Sequence, residues 1–227
     1  MKIASVESSP CPFVVVSYYT PEYEPVFRER LGRSLSDIEE GESAFPSIVL
    51  TAPSTKSWLR NCLYKSEAID TAMRLTSKHV LWVDADAMIP KQVPLLDAFR
   101  ALSIRRPNLD FAAYMPGIEK SVDHDQNAHS SLLSGTMVFM QTPRCRFLVR
   151  NWRDECMRLV REGRSDGLDA YDQQVLWMEV QQLRADAGLV VENLHPRWVK
   201  IHDMFPRVSD PLIVHYQASR SMKDVIR

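Results

Sequence analysis

Three short, unbroken apolar runs frame the first half of the chain. Phe13-Val14-Val15-Val16-Ser17-Tyr18-Tyr19 is β-branched and aromatic, Ser47-Ile48-Val49-Leu50 is shorter, and Val80-Leu81-Trp82-Val83 is uniformly apolar. Runs of this length without polar alternation predict strands covered on both faces. Between them the rhythm changes. Thr20-Pro21 breaks the first run, and Pro21 suits the first turn of a helix reaching about Leu35. Leu59, Leu63, Ile69, Ala72, Met73 and Leu75 recur at helical spacing across residues 57–75. The order strand, helix, strand, helix, strand predicts an α/β fold, Rossmann-like, with a mostly parallel sheet flanked by helices.

The second half continues the pattern with interruptions. Residues 93–104 read as a helix bounded by Pro90, Pro94 and Pro107, and Phe111 to Tyr114 as a short strand. Residues 37–42 are an acidic, solvated connection. Residues 117–130 are polar and aperiodic, which predicts a loop placed to cover a site. Leu132 to Met140 is a strand broken by Gly135, where glycine marks a bulge or the close approach of a ligand. Pro143 to Gly163 is the clearest helix, followed by another over 169–183 with Asp169 at its N-cap. Leu189 to Val191 and Pro211 to His215 are late strands.

At 227 residues the chain predicts one domain, 1–227, with 1–12 as an N-terminal extension and 216–227 as a C-terminal tail. A formal net charge of −1 excludes a global field towards nucleic acid or membrane, so any such attraction is local. Met1 to Pro10 lacks the regions of a signal peptide, and no apolar run approaches membrane-spanning length. Cys11, Cys62, Cys145 and Cys156 show no C-x-x-C spacing and fit free thiols, so a cytoplasmic protein without a membrane span is expected.

The candidate chemistry begins where the third run ends, at Asp84-Ala85-Asp86. Residues two apart at a strand's end point the same way, so both carboxylates can share one hard cation. Ligand sites of open α/β sheets lie outside the carboxyl ends of the strands. This is the place for a divalent metal that holds a phosphorylated ligand. A lone D-x-D is equally an acidic turn, so the rest of the chain has to decide. Local charge points elsewhere as well. On the helix after Pro143, Leu148, Val149, Trp152, Cys156, Leu159 and Val160 form one face, and Arg146, Arg150, Arg153, Arg161 and Arg164 lie opposite, within roughly 80°. Such a stripe is either a solvated face or a polyanion footprint.

Taken together, Asp84-Ala85-Asp86, Ser134-Gly135-Thr136, Asp172-Gln173 and His215 resemble the GT-A glycosyltransferases, above all the retaining group of glycogenin and the bacterial lipopolysaccharide galactosyltransferases. The chain also resembles small sugar transferases of bacterial and phage genomes. The matches run in order from Val14 to Arg220. Lys65 holds the place of the group's basic residue one helix before D-x-D, Ser134 stands where asparagine is usual, and the group's terminal H-x-x-G-x-x-K-P-W is replaced by His215-Tyr216-Gln217-Ala218-Ser219-Arg220.

The resemblance implies a metal-dependent transferase that moves a sugar from a nucleotide-diphosphate donor, a UDP-sugar, with retention, in a bacterial or phage-infected cytoplasm. It implies Mn²⁺ or Mg²⁺ on Asp84, Asp86 and His215, and diphosphate contacts from Lys65, Ser219 and Arg220. Ser17, Tyr18, Tyr19 and Thr20 would hold the nucleoside, with Trp58 and Asn61 on the same pocket and Asp84 at its edge. Ser134, Gly135, Thr136 and Asp172 would face the donor sugar, Asp172 orienting its hydroxyls and Gln173 stabilising the developing charge. If the arginine stripe is functional, the acceptor is DNA carrying a hydroxymethylated base, with Arg146, Arg150, Arg153 and Arg161 on the phosphates; a glycan, lipid-linked or protein acceptor is the alternative. A phosphotransferase of the haloacid dehalogenase kind, a nucleotidyltransferase and an inactive sugar-nucleotide-binding module are the competing classes.

Overall fold

The valine-rich runs become strands, and their lack of alternation has a simple cause. The computed structural model describes residues 3–36, 45–115, 132–163, 172–201 and 207–216. In it β1 (Phe13–Tyr19) pairs in parallel with β2 (Ser47–Thr51) and with β3 (His79–Val83). Val14 and Val16 enter one core with Val80 and Trp82, while Phe13 and Val15 enter the opposite one with Leu81 and Val83. Successive residues point to opposite faces, so a strand covered on both must be apolar throughout.

β6 (Leu133–Phe139) lies antiparallel to β3 and to β5 (Phe111–Tyr114), and β5 pairs in parallel with β7 (Val191–Asn193). The order is β2-β1-β3-β6-β5-β7. With β6 the reversed strand, three of the five pairings are parallel, so the sheet is mostly parallel as expected.

Helices cover both faces. α4 (Trp58–Leu75), α6 (Pro143–Arg161) and α7 (Asp172–Ala187) supply Leu63, Ile69, Met73, Leu148, Trp152 and Leu176 to one core. α5 (Gln92–Arg105) supplies Leu95, Phe99 and Leu102 to the other. Each fully buried side chain of this kind contributes about 1.5–3 kcal/mol. Local signals set the helix starts. The Ser57 hydroxyl accepts from the Arg60 amide at 3.3 Å, and the Thr142 hydroxyl from the Cys145 amide at 3.2 Å, with Pro143 in the first turn. Residues 21–36 wind as successive helical turns, α2 (Glu24–Phe27) and α3 (Arg33–Ser36) joined by a wider turn at Arg28–Gly32.

The first twelve residues, expected as an extension, include α1 (Ile3–Ser8), which buries Val6 in the core. The Glu7 carboxylate accepts from the Thr76 hydroxyl, from the Ser77 amide at 3.0 Å and from the Ser77 hydroxyl at 2.7 Å, fastening α1 beyond the end of α4.

Two late elements differ from the sequence pattern. Leu189 is not strand: its amide returns to the Leu183 carbonyl at 3.1 Å around Gly188 at φ +62°, closing α7. Of residues 211–215 only β9 (Val214–His215) pairs, because the Leu212 and Ile213 amides both go to the Arg197 carbonyl. β9 lies between β4 (Ala87–Met88) and β8 (Lys200–Ile201) in a small second sheet that short-range patterning did not reveal. That sheet matters, since Ala87 is the direct partner of His215. Residues 37–42, Asp169 and the 117–130 loop lie outside the described residues.

Candidate active site

β1 and β3 run in parallel, so their carboxyl ends open on the same edge of the sheet, and a cavity of about 390 Å³ lies there. The first of its walls is carboxylate. Asp84 and Asp86 are brought together by a tight turn, in which the Ala87 amide donates to the Asp84 carbonyl at 3.0 Å, rather than by strand alternation past Val83. The pairing of Ala87 with His215 then delivers the imidazole. One donor atom each from Asp84, Asp86 and His215 lies within 4.8 Å of the others.

Each of these groups is oriented by a neighbour. Asp84 Oδ1 accepts from the Trp82 indole N–H at 2.8 Å and lies 3.1 Å from Lys65 Nζ. Asp84 Oδ2 and His215 Nδ1 both approach Gly135, where a Cβ would stand 2.9 Å from His215 Cε1, 3.1 Å from Nδ1 and 3.4 Å from Oδ2. Only glycine fits between them, the close approach that the broken strand implied. His215 Nε2 sits 2.8 Å from the Thr136 hydroxyl, leaving Nδ1 to face the carboxylates. Burial pushes the His215 imidazole down to about 4, with Lys65 pushing the same way and Asp84 opposing, so the ring is neutral and able to ligate. Two carboxylates and a neutral imidazole suit Mn²⁺ or Mg²⁺, so the residues fit the metal that the resemblance implies.

Lys65 joins this group to a second one. Its ammonium is buried, 3.1 Å from both Asp84 Oδ1 and Asp172 Oδ2, and donates to the Ser134 carbonyl at 3.2 Å and hydroxyl at 3.0 Å. Burial works against its charge, but Asp172 and Asp84 outweigh it and hold the ammonium protonated beyond the ordinary lysine range. Three carboxylates against one ammonium, with His215 neutral, leave the cluster at about −2, a charge suited to holding a divalent cation. Asp172 opens α7, where its carbonyl accepts from the Trp152 indole at 2.9 Å and its carboxylate from the Ser134 hydroxyl at 3.0 Å. Lys65 and Ser134 both engage its Oδ2, and the residue lines the cavity. Gln173 follows on the cavity wall.

The other end of the cavity is aromatic. Tyr18, Tyr19 and Thr20 close β1, and Trp58 and Asn61 open α4, all on the wall. Tyr19 stacks on Phe27 with centroids 4.6 Å apart. Burial pushes the Tyr18 phenol above its usual range. Ser17 is fully buried behind them and lines no part of the cavity. The cavity also takes in Tyr23, Cys62 and Trp82, and Val199 and Ile201 from β8 and its approach, which sequence reasoning missed. Trp82 read as one more core residue, and a two-residue strand leaves no periodic signal.

The arginines stand apart from this site. Arg146, Arg150 and Arg161 are exposed, whereas Arg153 is tied to Asp70 and donates to Asp154 at 2.6 and 3.0 Å. Of the four arginines read as acceptor contacts if the stripe is functional, 146, 150, 153 and 161, Arg153 is paired instead, because Asp70 of α4 meets it across the helix pair. Arg164, Ser219 and Arg220 lie outside the described residues.

The sequence matches no family model and no curated protein. Solved structures do match. A glycosyltransferase involved in the glycosylation of the major capsid of PBCV-1 is similar over 95% of this chain and 98% of that one, with 19% identity and a TM-score of 0.61. Mouse xyloside xylosyltransferase 1 matches over 91% and 98%, with 11% identity and a TM-score of 0.50. An active-site variant of LgtC matches over 90% and 87%, with 9% identity and a TM-score of 0.51. The chain has the GT-A glycosyltransferase fold. Among the described residues this fold is a six-stranded mixed sheet between two helical layers, with the cavity at the carboxyl ends of β1 and β3. Among the described residues of this GT-A chain, no helix is long and apolar enough to cross a membrane.

Proposed function

We propose that the protein is a metal-dependent glycosyltransferase that moves a sugar from a nucleotide-diphosphate donor, a UDP-sugar, to an acceptor hydroxyl with retention at the anomeric carbon. One observation carries the reading: the Asp84–Asp86–His215 group shares a cavity with the Lys65–Asp172 pair at the carboxyl edge of a GT-A sheet. Asp84, Asp86 and His215 would hold Mn²⁺ or Mg²⁺, which supplies Lewis-acid stabilisation of the departing diphosphate. Lys65 locks Asp84 and Asp172 in place and adds positive charge beside the leaving group. Asp172 orients the donor sugar's hydroxyls, and Gln173 stabilises the charge that develops at the anomeric centre. Gly135 and Thr136 shape the floor, Ser134 bridges Lys65 and Asp172, and Tyr18, Tyr19, Thr20, Trp58 and Asn61 form the nucleoside end. Ser219 and Arg220 are proposed on the diphosphate from the sequence alone.

The test is a thermal-shift panel of UDP-glucose, UDP-galactose, UDP-N-acetylglucosamine, GDP-mannose and nucleoside triphosphates, with and without Mn²⁺. Stabilisation by one nucleotide sugar only with metal is expected, together with loss of sugar transfer in a folded Asp86→Ala variant. Stabilisation by triphosphates alone, with pyrophosphate release, would replace this reading with nucleotidyl transfer. Binding without turnover would mean an inactive module.

For the acceptor, exposed Arg146, Arg150 and Arg161 favour a polyanion, and hydroxymethylated DNA is the one proposed. A sugar moved onto such a base requires the base out of its stack. Mass gain on hydroxymethylated DNA tests it, and transfer to a glycan, lipid-linked or protein hydroxyl instead would overturn it.

A further inference from the structure

At the aromatic end of the cavity one polar side chain is locked in place without a partner for its donor group. Asn61 is 7% exposed and lines the cavity from the first turn of α4. Its carbonyl oxygen accepts from the Thr55 amide at 2.9 Å and from the Thr55 hydroxyl at 2.7 Å. The Thr55 backbone N–H can only donate, so it requires an acceptor at that position and fixes the orientation of the Asn61 amide: flipping it would set an NH₂ group against a backbone N–H. Asn61 Nδ2 therefore faces away from Thr55, and it is buried with no hydrogen-bond partner. The Tyr18 hydroxyl, on the same cavity wall, is buried without a partner too. An unmet buried donor costs about 1–3 kcal/mol, a cost that a ligand acceptor removes.

We propose that Asn61, held by Thr55, selects the nucleobase of the donor by donating to a ring carbonyl. The inference rests on the nucleotide-sugar reading above and deepens it. A fixed NH₂ donor complements a keto oxygen and opposes an exocyclic amino group. Uracil and cytosine differ by this exchange at one ring position, and guanine and adenine differ by the same exchange at another, with guanine carrying one further amino group. The site takes the keto member of each pair. The Tyr18 hydroxyl, able to donate or accept, serves the adjoining ring N–H of either keto base.

The experiment is calorimetric titration of the full chain, in Mn²⁺, with UDP, CDP, GDP and ADP, repeated on Asn61→Asp. The aspartate keeps an oxygen for Thr55 and replaces the inward donor with an acceptor. The wild type is expected to bind the keto member of a pair about tenfold to a hundredfold more tightly than the amino member. In Asn61→Asp the ratio is expected to fall to unity or invert, with the melting temperature confirming that the variant is folded. Equal binding of UDP and CDP, and of GDP and ADP, by the wild type overturns the proposal whether or not the variant folds. So does a folded Asn61→Asp with an unchanged ratio, and in that case nucleotide binding itself still stands. Failure of all four diphosphates to bind overturns this proposal and the nucleotide-sugar reading together.

Discussion

The indole N–H of Trp82 lies 2.8 Å from Oδ1 of Asp84, and Lys65 Nζ lies 3.1 Å from that same oxygen and 5.6 Å from the Trp82 ring. Two donors thus claim one carboxylate oxygen and leave Oδ2 for the side that His215 faces. Trp82 is 1% exposed and cannot turn away.

Trp82→Phe keeps an aromatic ring and most of the side-chain volume and deletes the donor. Removing an outer partner of a metal ligand costs about tenfold in metal affinity. Manganese binding measured by electron paramagnetic resonance should weaken by about that factor, while turnover at saturating metal stays close to that of the wild type. An unchanged manganese affinity would show that Lys65 alone suffices to hold Asp84.

Gly135→Ala tests the contact from the opposite strand. The new methyl would stand 2.9 Å from His215 Cε1, so the imidazole has to move. The neighbour is a buried ring fixed on β9 and not the free end of a flexible chain, so the shift is costly. Manganese binding should be lost to below a tenth of the wild-type affinity, with a destabilisation of about 1–3 kcal/mol from overpacking. Wild-type manganese affinity in a folded variant would remove His215 from the ligand set.

How much of this was visible in the sequence depends on the range of each interaction. The strands around Val14, Val80 and Val138 were legible because burial on both faces forces continuous apolar runs. So were Asp84 and Asp86, carboxylates set directly after such a run, and Gly135, a glycine that breaks another, whereas Asp172 was legible only through the resemblance. The strand ending at His215 was legible, though only Val214 and His215 of it pair, whereas the two-residue strands that carry Ala87 and Ile201 were not, since two residues hold no period. Nor was the fate of Arg153, whose partner Asp70 is 83 positions away, or the lock of Thr55 on Asn61. Helical arithmetic put Arg153 on the outer face correctly, but the length of a guanidinium stem lets it reach across to α4.

His79 offers a pH test remote from the cavity. Its Nδ1 accepts from the Gln141 amide at 3.1 Å, and burial holds its pKa below the usual value. Protonation would place an N–H against that amide. The unfolded chain takes up the proton near pH 6.5 and the folded one only at lower pH. The stability due to this group is complete above about pH 6.5 and is lost as the pH falls towards the depressed folded value. Urea midpoints between pH 7 and 5 should therefore fall with acid, and His79→Asn, whose Oδ1 can still accept from Gln141, should flatten that slope. A slope identical to the wild type would place the acid sensitivity elsewhere.

Lys65 carries the sharpest prediction because it stands between two carboxylates in a buried place. Lys65→Met keeps the stem and removes the charge, leaving Asp84 and Asp172 without the cation that each had at 3.1 Å. Breaking a buried pair in this way costs about 3–5 kcal/mol, since the remaining charge is uncompensated. Urea denaturation should show a loss of that order. Adding Asp172→Asn removes one stranded charge while its side-chain oxygen can still accept from Ser134, so the double variant should regain most of the lost stability. Sugar transfer should not return with it, because the group that orients the donor sugar has lost its charge and Lys65 no longer holds Asp84. If stability and transfer recover together, Asp172 acts only as a counter-ion to Lys65 and the sugar-side role assigned to it fails. If neither recovers, the cost of Lys65→Met lies in packing around the stem and not in the stranded carboxylates.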